Sequence, residues 1–451
     1  DATNGAGPYY GPLVQGRDGN LWGTTSAGGA NGGGTIFKMT PDGSLTTVYS
    51  FCPQANCADG YYPVAGLVLG KDGNFYGTTL MGGDENGCDF PQGCGVLFKI
   101  TPKGGYTVLH TYGRGDLAAG PIGGLMQATN GSFYGDGGLD NGGMAVYRIT
   151  SSGAYTELAS WDLSTAGHPY GGLIQATDGS LYGTTNIGGT GSCNDGCGTV
   201  FKINTNGKKM LILHSFDITD GENPVAGLLQ ADDGNFYGAA ALGGTNFANC
   251  ECGTLFEITS TGVFNKFYDF CSQADCSDGF APFGTLIQAT DGNFYGTTYQ
   301  GGGLYGNGTI YEWNPTAQSF SVIYTFPQNS GTVAGLVQAT NGKFFGTNVY
   351  GGNSPNCSYG CGAIFSLDLG LGPFVRPVTY SGKVGTTVEI LGQGFNKSTT
   401  SVSFNGTAAT RTVVSGNYLT AKVPAGATTG YVTVTTGAVT LTSDKVFRVT
   451  P

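Results

Sequence analysis

The chain has 451 residues, 83 of them glycine, with charged residues at 11% and a formal net charge of −11. That acidic, charge-poor composition excludes the clustered Lys and Arg that nucleic-acid binding requires. No apolar run approaches the ~20 residues of a membrane-spanning helix, and the glycine follows no collagen period, so it reads as turn punctuation.

Residues 1–12 match the tail of an inter-repeat loop, Asn4-Gly5 through Tyr10. A segment led by Leu13 then recurs at Leu67, Leu125, Leu173, Leu228, Leu286 and Leu336, in steps of 54, 58, 48, 55, 58 and 50 residues. A period near fifty marks an array of one supersecondary unit. Each copy reads as four runs rich in Val, Ile, Thr, Tyr and Phe, the composition of strands. The first two runs are split by Asp-Gly or Asn-Gly (Asp18-Gly19, Asn130-Gly131), the signature of a two-residue hairpin turn. A third run such as Thr35-Ile36-Phe37-Lys38-Met39 and a fourth such as Leu45–Phe51 complete the unit. Seven units of four antiparallel strands predict an all-β chain, a seven-bladed β-propeller over residues 1–371. The short turns then share one rim. The long, variable loops share the other, where function on a rigid scaffold concentrates.

Several positions stand out along the array. Gln15, Gln127, Gln175, Gln230, Gln288 and Gln338 recur at one place in the first run, with Leu69 as the exception. Their recurrence suits amides that tie backbone between blades better than a single site. Trp22 replaces the Phe or Tyr of the second run and is core by position. The third copy replaces Gly-Thr-Thr with Gly135-Asp136-Gly137-Gly138. His110 and His214 take the fourth-run place of Tyr49 and read as strand side chains. The seventh copy lacks a credible fourth run, because Gly370 through Pro377 holds two prolines that cannot donate to a ladder.

Twelve cysteines fall in six close pairs, all in long loops: Cys52/Cys57, Cys88/Cys94, Cys193/Cys197, Cys250/Cys252, Cys271/Cys276 and Cys357/Cys361. Zinc fits poorly, since only three histidines exist and no second pair completes four ligands. Local disulfides are the better reading and imply an oxidising compartment. The ring closed by Cys250 and Cys252 would be small, so an inter-chain bond or free thiols stays open there. A start at Asp1 rather than Met fits a processed, secreted chain. Asp84, Glu85 and Asp89 offer a weak calcium loop of non-EF-hand spacing, with a solvated turn as the plainer reading. No other cofactor is expected.

From Pro373 the pattern changes to short alternating strands, among them Thr386–Leu391, Ser401–Phe404 and Tyr431–Thr436. Their spacing predicts a small β-sandwich over residues 372–451.

The repeat signatures, Leu-Ile-Gln-Ala-Thr-Asp-Gly-Asn-Phe-Tyr-Gly-Thr-Thr at 286–298 and Gly-Thr-Ile-Phe-Lys-Met-Thr at 34–40, resemble the GloVer tandem repeat of bacterial secreted proteins, over roughly residues 8–371. Residues 373–451 resemble an IPT/TIG immunoglobulin-like domain through Gly382–Phe395 and the Val423-Pro424 segment. The resemblance implies a surface or extracellular location and supplies no catalytic residues.

Two functions follow as expectations. An unfinished seventh blade leaves a sheet edge that invites a strand from another chain. That points to a secreted structural or binding protein, self-associating through this edge or the C-terminal sandwich into an oligomer or extracellular filament. The alternative is a polysaccharide binder or carbohydrate-active enzyme on the long-loop rim, whose candidate residues are Tyr61, Tyr62, His168, Tyr170, Asp220, Glu222, Tyr299 and Tyr350. Aromatic faces stack on sugars and paired carboxylates suit glycoside hydrolysis. Asp59 and Asp278, repeated after a cysteine pair, read instead as turn-fixing residues. No nucleophile, phosphate loop or metal motif is present, which weighs against catalysis.

Overall fold

The computed structural model describes residues 2–83, 93–113, 116, 120–138, 143–207, 209–245, 252–303, 306–328, 330–352, 357 and 360–451. Asp84, Glu85, Asp89, Cys88 and Cys250 lie outside the described residues. Within them the regular structure is all strand, apart from two three-residue 3-10 turns at Ala55–Cys57 and Ala274–Cys276.

Residues 14–367 form seven antiparallel sheets, and within each the strands pair in sequence order. The first sheet is Val14–Gln15, Leu21–Thr25, Thr35–Met39 and Leu45–Ser50. The next five repeat that plan. The seventh has three strands, Val337–Gln338, Phe344–Asn348 and Ala363–Leu367.

The hairpin between first and second strands differs from the expected two-residue turn. Val14 pairs with Trp22 and Gln15 with Leu21. Gly16 N–H then bonds the Asn20 carbonyl and Gly19 N–H bonds the Gly16 carbonyl. That is a three-residue loop closed by a left-handed glycine, Gly19 at φ 83°. Asp18 sits outside the left-handed region because its Oδ1 accepts the Asn20 N–H at 3.2 Å, fixing the turn locally. The loop consumes residues that would otherwise pair, so every first strand is two residues long.

The second strand is buried on both faces, as in Leu21–Thr25 and Leu181–Thr185. Its side chains point alternately at the sheet before and the sheet after. Trp22 stacks on Phe75 of the second sheet at 4.3 Å, Tyr182 on Phe236 at 4.1 Å, and Tyr295 packs on Phe344 at 4.8 Å. Phe345 of the seventh sheet shares a core with Leu21 and Phe37 of the first. The sheets therefore contact one another in a closed cycle. Gly183 shows why the second strand reads Tyr-Gly-Thr: a Cβ there would lie 2.7 Å from the Phe201 ring.

The recurring glutamines close the same cycle in hydrogen bonds. Each accepts a backbone N–H from the sheet before it: Gln127 from Lys71 (2.8 Å), Gln175 from Thr129 (2.8 Å), Gln230 from Thr177 (2.8 Å), Gln288 from Asp232 (3.0 Å). Gln338 accepts from Thr290 at 3.1 Å, and Gln15 from Thr340 at 3.0 Å, which joins last sheet to first. At the exception, Leu69, Arg17 Nη2 donates instead to the Lys71 carbonyl at 2.8 Å. The amides are inter-sheet ties, as their recurrence predicts.

Residues 376–442 form two further four-stranded antiparallel sheets. Val388, Ile390 and Leu419 of one share a core with Val402, Phe404 and Val434 of the other. This C-terminal unit covers the hairpin-turn end of the cycle. Arg17 pairs with Glu389 at 2.6 Å, Arg376 donates to the Gln338 carbonyl at 2.8 Å, and Lys445 to the Gln230 carbonyl at 3.1 Å. A cavity of about 1360 Å3 lies between, bordered by Lys71, Gln230, Tyr380 and Lys445. The opposite end, where the long loops gather, carries no such cover among the described residues.

Candidate functional site

The long-loop end is built from two repeated devices. Disulfides close Cys52–Cys57, Cys193–Cys197, Cys271–Cys276 and Cys357–Cys361, as their spacing predicts. Cys94 and Cys252 are also disulfide-bonded, and their expected partners are the two cysteines outside the described residues. The second cysteine of a pair has a further task. Its carbonyl accepts the N–H of the residue that precedes proline in the next sheet's loop: Cys361 from Gly7 (2.9 Å), Cys94 from Gly120 (3.1 Å), Cys197 from Asn223 (3.0 Å), Cys252 from Ala281 (3.0 Å). Gly33 replaces cysteine in the first sheet and accepts from Tyr62 at 3.1 Å. Tyr62, His168, Asn223 and Ala281 sit at left-handed φ of 62°, 47°, 54° and 55°. Non-glycine residues hold such angles only where the surroundings over-determine them. Two candidate residues, Tyr62 and His168, thus have backbones fixed by the scaffold.

The loop acids are pinned the same way. Asp59 Oδ2 accepts the Tyr49 hydroxyl at 2.8 Å and the Cys52 N–H at 3.1 Å. Asp278 does so with Tyr268 at 2.8 Å and Ser272 at 3.0 Å. Asp220 pairs with His214 at 3.0 Å and accepts the Asp217 N–H at 2.7 Å, and Asp116 pairs with His110 at 3.0 Å. Each acid therefore anchors the fourth strand of its own sheet. Glu222 bridges its backbone to Leu242, as Tyr61 does to Met81 and Phe280 to Gln300. Asp220 and Glu222 thus occupy repeat positions.

Seven tyrosines gather at this end. Tyr10, ahead of the first sheet, lies 6.0 Å from Tyr170, ahead of the fourth. Loops from opposite sides of the cycle meet so closely only near its axis. Tyr9 lies 5.5 Å from Tyr10 and 6.4 Å from Tyr62, and Tyr61 contacts Tyr62 at 6.0 Å. Burial pushes the Tyr10 hydroxyl up to about 12, with Tyr170 beside it. Burial likewise raises Tyr9 and Tyr299, each with the Tyr350 hydroxyl alongside. Of the candidate residues, Tyr61, Tyr62, Tyr170, Tyr299 and Tyr350 join this cluster, whereas Asp220 serves a strand. These aromatic faces and neutral hydroxyls can stack and hydrogen-bond a polar ring.

Asp136 is a buried acid that the sequence signals only as a break in Gly-Thr-Thr. The threonine it replaces donates to a carbonyl of the next sheet: Thr24 to Ala65 at 2.9 Å, Thr184 to Ala226 at 3.0 Å, Thr297 to Ala334 at 3.1 Å. Asp136 is fully buried, and neither carboxyl oxygen has a hydrogen-bond partner among the described residues. Burial pushes its carboxyl up to about 7. Among the described residues no group of three or more His, Cys, Asp or Glu is placed to hold a metal ion.

A different kind of site lies on the outer edge of the seventh sheet. Ala363–Leu367 is largely half-buried, where its counterparts Thr199–Ile203 and Thr254–Ile258 are buried at four of five positions. Among the described residues no strand pairs with its outer side. Past Leu367 the chain turns to the hairpin, with the Leu371 carbonyl against Gly342.

A family model described as the Gloeobacter/Verrucomicrobia repeat matches residues 1–194, 88–286 and 169–420. The chain belongs to this repeat family. The matches run past residue 371, into the C-terminal unit. No curated protein sequence matches the chain. Among solved structures, the chain is similar to a fungal alcohol oxidase of the AA5 family in complex with copper: TM-score 0.55, 15% identity, covering 99% of this chain and 98% of that one. An oligogalacturonate lyase from Vibrio parahaemolyticus aligns at TM-score 0.49 and 12% identity, covering 80% and 89%. At such identity the first likeness is one of fold, a propeller-like one. No helix among the described residues is long and apolar enough to cross a membrane, and the disulfides are consistent with an extracellular protein.

Proposed function

We propose that this Gloeobacter/Verrucomicrobia repeat protein is a secreted binding and structural protein that associates with other copies of itself. The seven sheets read as a seven-bladed propeller in which, among the described residues, blades seven and one share no strand. The C-terminal unit reads as an immunoglobulin-like sandwich of the IPT/TIG kind, locking the turn face. The observation that carries self-association is the three-stranded seventh blade. Among the described residues no strand pairs with the outer edge of its third strand, and natural sheets otherwise cover or protect such edges. Third strands carry a charge at one place in blades one to six (Lys38, Lys99, Arg148, Lys202, Glu257, Glu312), and blade seven has Ser366 there. Light scattering over a wide concentration range tests this. Concentration-dependent growth is expected, with oligomers or filaments on electron micrographs. A monomer at every concentration overturns it.

The tyrosine cluster favours a second reading, polysaccharide binding at the disulfide-bearing face. Calorimetric titration with a polysaccharide panel tests it: heat lost in the Tyr10→Ala and Tyr299→Ala variants supports it, and no heat from any glycan removes it.

A further inference from the structure

The tyrosines of the long-loop end are departures from the repeat. Tyr299 stands where other sheets carry Ser26, Leu80, Asn186 and Ala241, and Tyr350 where they carry Ala27, Met81, Ile187 and Leu242. Tyr62 stands in the place of Gly7, His168, Asn223 and Ala281. The loop ahead of the first sheet is one residue longer than its counterparts, with six steps from Gly7 to Leu13 against five from Tyr62 to Leu67. Tyr9 and Tyr10 fall within it. Side chains that hold sheets together recur, as the glutamines do, and these rings do not.

Their contacts order them into a track. Tyr61 lies 6.0 Å from Tyr62, Tyr62 6.4 Å from Tyr9, and Tyr299 5.8 Å from Phe283. In the middle, the Tyr350 hydroxyl sits beside those of Tyr9 and Tyr299. Gly331 makes room there: a Cβ on it would lie 2.7 Å from the Tyr299 ring and 3.5 Å from the Tyr350 ring. The track therefore passes over four neighbouring sheets, the second, first, seventh and sixth. Tyr10 leaves it to meet Tyr170 across the axis at 6.0 Å, so a ligand lies over this end instead of entering it.

The rings are tilted against one another. Interplanar angles are 55° for Tyr9 and Tyr10, 49° for Tyr9 and Tyr62, and 32° for Tyr61 and Tyr62. The core pair Tyr49 and Tyr106 instead lies at 6° and 4.1 Å. Parallel rings cover each other's faces, whereas tilted neighbours leave faces for a ligand. Tyr350 is 36% exposed.

Electrostatics narrow the ligand. A phenol hydroxyl both donates and accepts, and it carries no charge. Burial and the neighbouring tyrosines keep the Tyr9, Tyr10 and Tyr299 hydroxyls protonated. The loop acids Asp59, Asp220 and Asp278 are taken up by Tyr49, His214 and Tyr268 of the fourth strands. A carboxylated ligand laid on these rings would lose water without gaining a cationic partner, and the chain's net charge of −11 opposes it further. An uncharged pyranose chain meets neither cost. Its C–H faces fit the rings and its hydroxyls fit the phenols.

We propose that the track from Tyr61 to Phe283 binds the interior of an uncharged polysaccharide chain, several sugar units at once. This rests on the polysaccharide-binding reading and names the class of glycan and the way it lies. The left-handed backbone of Tyr62, held by Gly33, fixes one end of the track before the ligand arrives.

The test is calorimetric titration of the full chain with two families of oligosaccharide, each in chains of two, four and six units. One family is neutral, linked glucose or mannose, and the other is oligogalacturonate. Affinity for a neutral chain is expected to rise about 10-fold or more from two units to six, with no heat from the galacturonates. Tyr62→Asn and Tyr299→Ser install residues that other sheets carry at those places. Each is expected to weaken the six-unit chain about 10-fold, and Tyr299→Phe, which keeps the ring, by less. Preference for galacturonates, equal affinity for two and six units, or neutral binding untouched by Tyr62→Asn and Tyr299→Ser overturns this inference while leaving polysaccharide binding in place. Heat from no glycan removes both. A proline-rich peptide that binds where no glycan does assigns the face to protein recognition and removes both as well.

Discussion

The third and seventh sheets both depart from the repeat, in opposite directions. The third departs inward: a carboxyl stands where a hydroxyl ties one sheet to the next, and Asp136 is fully buried. The seventh departs outward, leaving a strand edge half-covered. An inward fault is a standing cost in stability, because desolvating a charge has no compensation there. An outward fault leaves backbone groups at the surface, and under the proposed function that edge is where a second copy binds. The same repeat, altered in two places, thus yields a buried acid raised to about 7 and, under the proposed function, an edge open to a further strand.

The sharpest way to break this contrast is to fill the edge. A copy of residues 317–328 fused ahead of Asp1 supplies the fourth strand in cis. Burying two aromatic side chains at ~1.5–3 kcal/mol each, we expect association to weaken by about 100-fold or more. Unchanged association in sedimentation would place the interface elsewhere.

The inward fault is next in size. The Asp136 carboxyl titrates near 7 in the folded chain against an ordinary 3.8. A carboxyl raised on folding leaves stability intact at low pH. The cost enters as pH rises through about 4 and is complete above about 7. Asp136→Thr restores the hydroxyl and removes the titration. It should stabilise the protein at pH 8 by on the order of 2–4 kcal/mol, and by little at pH 4. Equal gains at both pH values in denaturant unfolding would contradict the assignment.

Smaller effects calibrate the ordinary joints. Asp59→Ala strips the Tyr49 hydroxyl and the Cys52 N–H of their acceptor and should cost ~1–3 kcal/mol. Ala159→His with Ala166→Asp, which rebuilds the missing pair in the third sheet, should recover part of ~1 kcal/mol. Arg17→Ala removes a partly exposed ion pair with Glu389 and should cost ~1 kcal/mol or less, shrinking in high salt. A large loss there would mean the C-terminal unit depends on that one contact.

Much of this was legible in the residues. The leucine period gave seven units, the Gln recurrence gave inter-sheet ties, and the close cysteine pairs gave loop-end disulfides. The missing fourth run was visible as Gly370 through Pro377. The hairpin was misjudged because Asp18 bonds Asn20 locally, so a single left-handed glycine suffices. The site was less legible. Asp220 and Glu222 looked like a carboxylate pair, yet Asp220 binds His214 six residues back in the fourth strand, and the Glu222 backbone bridges to Leu242 twenty residues on. That Tyr10 meets Tyr170 depends on which loops cross the axis, and spacing along one chain does not encode it. The acid at Asp136 was visible as a broken motif, but its burial follows from packing against the next sheet.

The most direct test is amide hydrogen exchange at Ala363–Leu367, followed as protein concentration rises. Exchange at this strand should be fast in dilute solution, unlike Thr199–Ile203, and should slow as copies associate. Exchange that stays the same from dilute to concentrated solution would contradict a strand-accepting seventh blade.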